Sequence, residues 1–156
     1  MTDLVSYLLE DGIATLTLNN GKVNALSPAL IEAFNAALDQ AVQDRAVVII
    51  TGQPGILSGG YDLKVMTSGP DAATALVAQG STLTRRLLAH PLPVIVACPR
   101  HAVAQGALLL LAAGFRIGVQ GPLHIGLTYV QTGNTLPHAR PLLARSPLPQ
   151  SAPHRP

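Results

Sequence analysis

The chain of 156 residues has no tryptophan, two phenylalanines and three tyrosines, so a core can be built only from aliphatic side chains and alanine. It has one cysteine, Cys98, which excludes an internal disulfide. The preceding run Val94-Ile95-Val96-Ala97 reads as a buried strand in which the thiol is a small hydrophobe, and a reducing, cytoplasmic setting is expected. Asp3 and Glu10 stand where a secretory leader would be basic and then apolar. The longest apolar run, residues 102–114, is interrupted by Gln105 and Gly106 and is too short to span a bilayer, so no membrane span is expected.

Acidic residues are missing from the larger part of the chain. Between Ala72 and Pro156 there is no aspartate or glutamate against seven arginines, which excludes any mechanism that takes a carboxylate acid or base from that part. All 8 carboxylates lie in the first 71 residues, beside only Lys22, Arg45 and Lys64. The net charge of +2 therefore hides a divided chain. An arginine-rich surface attracts phosphates, but Arg85-Arg86 is the one adjacent pair and rings are scarce, so nucleic acid is the weakest partner reading. Hydrophobic residues at 48% with only 12% charged ones point to surface covered by something else, either a homo-oligomer or a partner segment. No His, Cys or carboxylate cluster has metal-ligand spacing. Neither a Gly-Lys-Ser/Thr loop nor a strand-linked GxGxxG is present.

Val5 to Leu9 and Ile13 to Leu18 are β-prone runs around Glu10-Asp11-Gly12, the pattern of an opening hairpin. Ser27-Pro28 supplies an N-cap and a first-turn proline for a helix to about residue 43. Its apolar positions Leu30, Ile31, Phe34, Leu38 and Val42 share one face. Ala46 to Thr51 and Val94 to Ala97 read as buried strands, with a long helix from about residue 71 to Ala89 between them. A short buried helix over Gln105 to Ala113 and strands over Phe115 to Val119 and Leu123 to Ile125 follow. Alternation of strands and helices predicts an α/β fold with crossover connections. Residues 1–136 are expected to form the core. Residues 137–156, with six prolines and no periodicity, read as an irregular or disordered tail.

Two loops carry the chemical interest. Residues 56–64, Ile-Leu-Ser-Gly-Gly-Tyr-Asp-Leu-Lys, follow a buried strand, and the paired glycines leave main-chain N–H groups open to a ligand. Residues 100–107, Arg-His-Ala-Val-Ala-Gln-Gly-Ala, pass from a strand into a helix N-terminus, where unsatisfied donors and the positive dipole end collect. Facing each other, they would form an oxyanion hole. As ordinary strand-to-helix turns they would do nothing of the kind, and composition alone favours that plainer reading.

The wording of these segments resembles the crotonase superfamily, the enoyl-CoA hydratase/isomerase group. The resemblance runs from Gly12-Ile13-Ala14-Thr15-Leu16-Thr17-Leu18-Asn19 through Lys22-Val23-Asn24-Ala25-Leu26-Ser27, Gly59-Gly60-Tyr61-Asp62-Leu63 and Pro93-Val94-Ile95-Val96-Ala97. It continues through His101 to Ala107 and Phe115 to Val119, and fades after Val130-Gln131-Thr132-Gly133. It implies a spiral of ββα turns and an acyl-CoA thioester as ligand, with coenzyme A part of the substrate and no separate cofactor. It also implies an oxyanion hole from the main-chain N–H groups of Tyr61 and Gln105. Lys22, Val23, Ala25, Gly59 and Leu63 match segments that line the CoA nucleotide and pantetheine.

The same resemblance shows departures. Leu108 and Tyr129 occupy the positions of the two glutamates that hydratases use. Leucine exchanges no proton, and a tyrosine of ordinary pKa, about 10, is a poor base at neutral pH. Gln105 stands in place of a glycine, so a positive φ there would be strained. His101, His124 and His138 are the other titratable candidates, though a histidine beside a buried strand is more often structural. Asp62 reads as a loop anchor. The chain stops short of full-length members, and Pro137, Arg140 and Pro141 interrupt the helix expected next, so a fold incomplete at its C-terminus is expected. Two readings follow: an acyl-CoA enzyme of hydratase or isomerase descent in which Tyr129 or a histidine handles the proton, and a non-catalytic CoA-binding or partner-binding paralogue.

Overall fold

A computed structural model describes residues 3–122 and 124–127. Strands β1 (Val5–Glu10) and β2 (Ile13–Leu18) form the opening hairpin, with Asp11 (φ 49°) and Gly12 (φ 76°) turning between them. Helix α1 (Pro28–Gln43) begins where Ser27 accepts a hydrogen bond from the Leu30 N–H at 3.2 Å, the N-cap read from Ser27-Pro28. Its buried face comprises Leu30, Ile31, Phe34, Ala37, Leu38 and Ala41. Val42, assigned by its spacing to that face, is 41% exposed, because the face drifts around the helix and Ala41 takes the buried place in the last turn.

Strand β3 (Val47–Thr51) leads to β4 (Ile56–Ser58), the short helix α2 (Leu63–Ser68) and the long helix α3 (Pro70–Leu88). Strand β5 (Val94–Cys98) leads likewise to β6 (His101–Val103) and α4 (Gln105–Ala112), and β7 (Phe115–Gly118) to β8 (His124–Gly126). The same strand, strand, helix turn thus recurs, as the spiral reading requires. First strands of successive turns stack in a sheet of order β1-β2-β3-β5-β7, parallel from β2 onward. Second strands stack in a separate parallel sheet of order β4-β6-β8. Residues 56–64 and 100–107, read from sequence as loops, therefore contain β4 and β6, and α2 is an element that the sequence pattern does not announce.

The core is aliphatic. Leu16, Leu18, Leu30, Leu38, Val48, Ile50, Leu83 and Val96 are sealed between the larger sheet and the helices, and Phe34 is the single fully buried ring among the described residues. Arg86 on α3 reaches α1, pairing with Asp39 and donating to the Asn35 amide oxygen at 3.0 Å. Cys98 is buried in β5, and burial pushes its thiol pKa up. Among the described residues no helix is long and apolar enough to cross a membrane.

Candidate functional site

Strands β4 and β6 are parallel neighbours in the register Ile56↔His101 and Ser58↔Ala102, so the loops leaving their C-terminal ends lie side by side. The first is held from both directions. Leu26 donates its N–H to the Gly60 carbonyl at 2.8 Å and accepts from the Asp62 N–H at 3.0 Å. In such a parallel bridge the intervening residue, Tyr61, directs its own N–H to the opposite side, away from Leu26. Gly60 takes φ 97°, and its N–H donates to the buried Ser58 hydroxyl at 3.1 Å.

The second loop meets the first at atomic contact. A Cβ placed on Gly60 would lie 3.1 Å from the Ala104 Cβ and 3.6 Å from the Gln105 nitrogen. A Cβ on Gly106 would lie 2.5 Å from the Ser58 carbonyl oxygen, so only glycine lets α4 seat on β4. Gln105 is the first residue of α4, and its N–H therefore has no acceptor within the helix. The positive φ associated with this turn falls on Ala104 (φ 52°, ψ −116°), one residue before the position anticipated from sequence; Gln105 itself is helical.

Both residues are anchored by their side chains. The Tyr61 hydroxyl donates to the Gln105 amide oxygen at 3.0 Å, and the fully buried Gln105 amide nitrogen donates to the Gly80 carbonyl at 3.0 Å and the Thr84 hydroxyl at 2.8 Å. The Tyr61 ring lies on α3 so closely that a Cβ on Gly80 would come 2.2 Å from its hydroxyl. Sequence reasoning missed Gly80 and Thr84. The available signal, one glycine inside an otherwise regular helix, marks a close approach without naming what approaches.

Val23 and Gly59 meet through a hydrogen bond from the Gly59 N–H to the Val23 carbonyl at 2.8 Å. Lys22, Val23, Gly59 and Leu63 are exposed and Ala25 is half-buried. Their turn is fixed by the buried Asn24, whose amide nitrogen donates to the Leu18 and Leu57 carbonyls at 3.0 and 2.7 Å while its oxygen accepts from the Asn20 N–H at 2.7 Å. Asn24 is a third residue to which the sequence reading gave no role. Asp62 caps α2, accepting from the Lys64 N–H at 2.9 Å, the anchoring part expected of it. Leu108 is fully buried in α4. His101 carries a buried Nδ1 without a hydrogen-bond partner, and its ring centre is 6.4 Å from that of His124 on the next strand. Tyr129 and His138, like residues 137–156, lie outside the described residues.

Fold and site together define an α/β spiral that presents two adjacent loops at the ends of parallel strands. The enoyl-CoA hydratase/isomerase family matches residues 9–148, and the chain belongs to that family. It is similar to a structure of an enoyl-CoA hydratase/isomerase family protein from Pseudomonas syringae, with 73% identity and a TM-score of 0.90, covering 92% of this chain and 62% of the other. An enoyl-CoA isomerase of Mycobacterium tuberculosis is 40% identical with a TM-score of 0.86, again over 92% of this chain and 62% of that one. A probable enoyl-CoA hydratase of Bacillus subtilis is 32% identical over 120 residues, which are 74% of this chain and 46% of the relative. The chain thus spans about half the length of the curated relatives it matches.

Proposed function

We propose that this protein binds an acyl-CoA thioester and polarises its carbonyl with the main-chain N–H groups of Tyr61 and Gln105. The observation that carries this reading is the contact between the two loops, with the Gly60 Cβ position 3.6 Å from the Gln105 nitrogen. A proton lost from the carbon next to a thioester leaves negative charge on the carbonyl oxygen. Each donor directed at that oxygen lowers the barrier by about 3 kcal/mol. Main-chain donors tolerate side-chain replacement, which suits a site where glutamine stands in place of glycine. The CoA portion is assigned to Lys22, Val23, Ala25, Gly59 and Leu63, which border the same loop, and coenzyme A enters as part of the substrate without a separate cofactor.

Proton transfer needs a side chain. Leu108 offers no exchangeable proton, so hydration, which needs a base for water and an acid for carbon, is less well supported than isomerisation, in which one group moves one proton. Tyr129 is the residue assigned that part. The second reading, a CoA-binding paralogue without turnover, is favoured by the apolar, fully buried Leu108.

Calorimetric titration with a saturated acyl-CoA, which cannot react, tests the binding claim: saturable binding supports it, and no binding by the folded protein refutes it. With a 2-enoyl or 3-enoyl substrate, Tyr129→Phe is expected to abolish turnover and leave affinity nearly intact. Unchanged turnover would remove Tyr129 from the mechanism, and a wild type that binds but never turns over would establish the second reading.

A further inference from the structure

The two residues whose main-chain groups form the proposed oxyanion hole are also tied to each other through their side chains, in a closed network buried against α3. Gln105 is 0% and Thr84 5% exposed, so every polar atom here must find its partner inside the protein. They do. The Tyr61 hydroxyl lies 3.0 Å from the Gln105 amide oxygen and 3.4 Å from the Val77 carbonyl. The Gln105 amide nitrogen spends both hydrogens, on the Gly80 carbonyl and the Thr84 hydroxyl, and the Thr84 hydroxyl donates in turn to the same Gly80 carbonyl at 2.9 Å. Rotating the Gln105 amide would set its oxygen against the Gly80 carbonyl, so this network admits one orientation.

We infer that the Tyr61–Gln105–Thr84 network positions the oxyanion hole, holding the two main-chain donors at a fixed separation as a thioester oxygen becomes charged. This rests on the acyl-CoA reading above and extends it to the side chains of Tyr61, Gln105 and Thr84, which bond to one another against α3. Tyr61 leaves β4 and Gln105 follows β6, two strands only three residues long. Short strands give little resistance to sliding. The cross-link supplies it, and helix α3 is the rigid body to which both loops are pinned. Gly80 belongs to the same device, since any larger residue would displace the phenol from its place.

The test uses the full chain and a 4-dimethylaminocinnamoyl-CoA probe, whose absorption moves to the red as its carbonyl is polarised. Affinity reports the CoA contacts and the red shift reports the donors. The wild type is expected to bind with a clear shift. Tyr61→Phe and Thr84→Val are expected to bind with affinity within a few-fold of wild type but to lose most of the shift, whereas Thr84→Ser, which keeps the hydroxyl, retains it. A role in stability alone would lower the melting temperature of the variants without changing the spectrum of the bound probe, and an unchanged shift in both variants overturns the inference while leaving the acyl-CoA reading intact. A wild type that fails to bind, or binds without a shift, overturns the functional reading and the inference with it.

Discussion

Ala104 takes φ 52° and ψ −116°, a region that side-chain-bearing residues enter only when their surroundings compel it. The compulsion is visible on both sides. Its N–H donates to the Gly126 carbonyl at 2.8 Å and its carbonyl accepts from the Leu108 N–H at 3.2 Å, so strand pairing and helix initiation both act on one residue. Replacing Ala104 by glycine is expected to relieve the strain and stabilise the protein by about 1 kcal/mol, less than the full strain because glycine loses more freedom on folding. A urea midpoint that falls on Ala104→Gly would show that the methyl group and the lost backbone freedom are worth more than the strain. The sequence reading placed this difficulty at Gln105, because a glutamine-for-glycine exchange is visible by eye and a displaced dihedral is not.

Among elements, legibility follows length. Helix α1 declared itself through Ser27-Pro28 and apolar spacing over 16 residues, and the alternation of longer strands and helices sufficed for the α/β class. Strands β4 and β6 have 3 residues each, too few for any period to emerge, whereas β8 was read within one residue from Leu123 to Ile125. Strands β4 and β6 exist because they pair with each other across 44 or 45 residues of chain, a tertiary cause with no local signature. The places of the two candidate loops were legible because glycine pairs and a helix start are local features. Their tie through Thr84 and Gly80 was not, since it joins residues on different elements. Gly106 shows how tightly these elements fit. Gly106→Ala sets a methyl 2.5 Å from the Ser58 carbonyl and must push α4 off β4, so a loss of about 1–3 kcal/mol is expected in urea denaturation. An unchanged midpoint would mean that this junction is looser than its distances state.

For the whole molecule, acid sensitivity should arise where α3 meets β5. Burial, and then the Arg86 charge, lower the pKa of His90 below its ordinary value, and its Nε2 is buried without a partner. The folded protein therefore keeps His90 neutral while the unfolded chain takes up a proton near its ordinary pKa of about 6.5. The contribution to stability is complete above that pH and shrinks as pH falls towards the folded pKa. Urea midpoints at pH about 7.5 and about 5.5 should differ more for the wild type than for His90→Gln, which cannot titrate there. Equal differences would assign the acid sensitivity to other groups.

Tyr61 belongs to one turn of the spiral and Gln105 to the next. An anion held as proposed by both main chains would be a clasp between layers, resisting their separation as a rivet resists the parting of two plates. Occupancy and cohesion would then be one quantity: the layers would hold the anion in register, and the anion would hold the layers together.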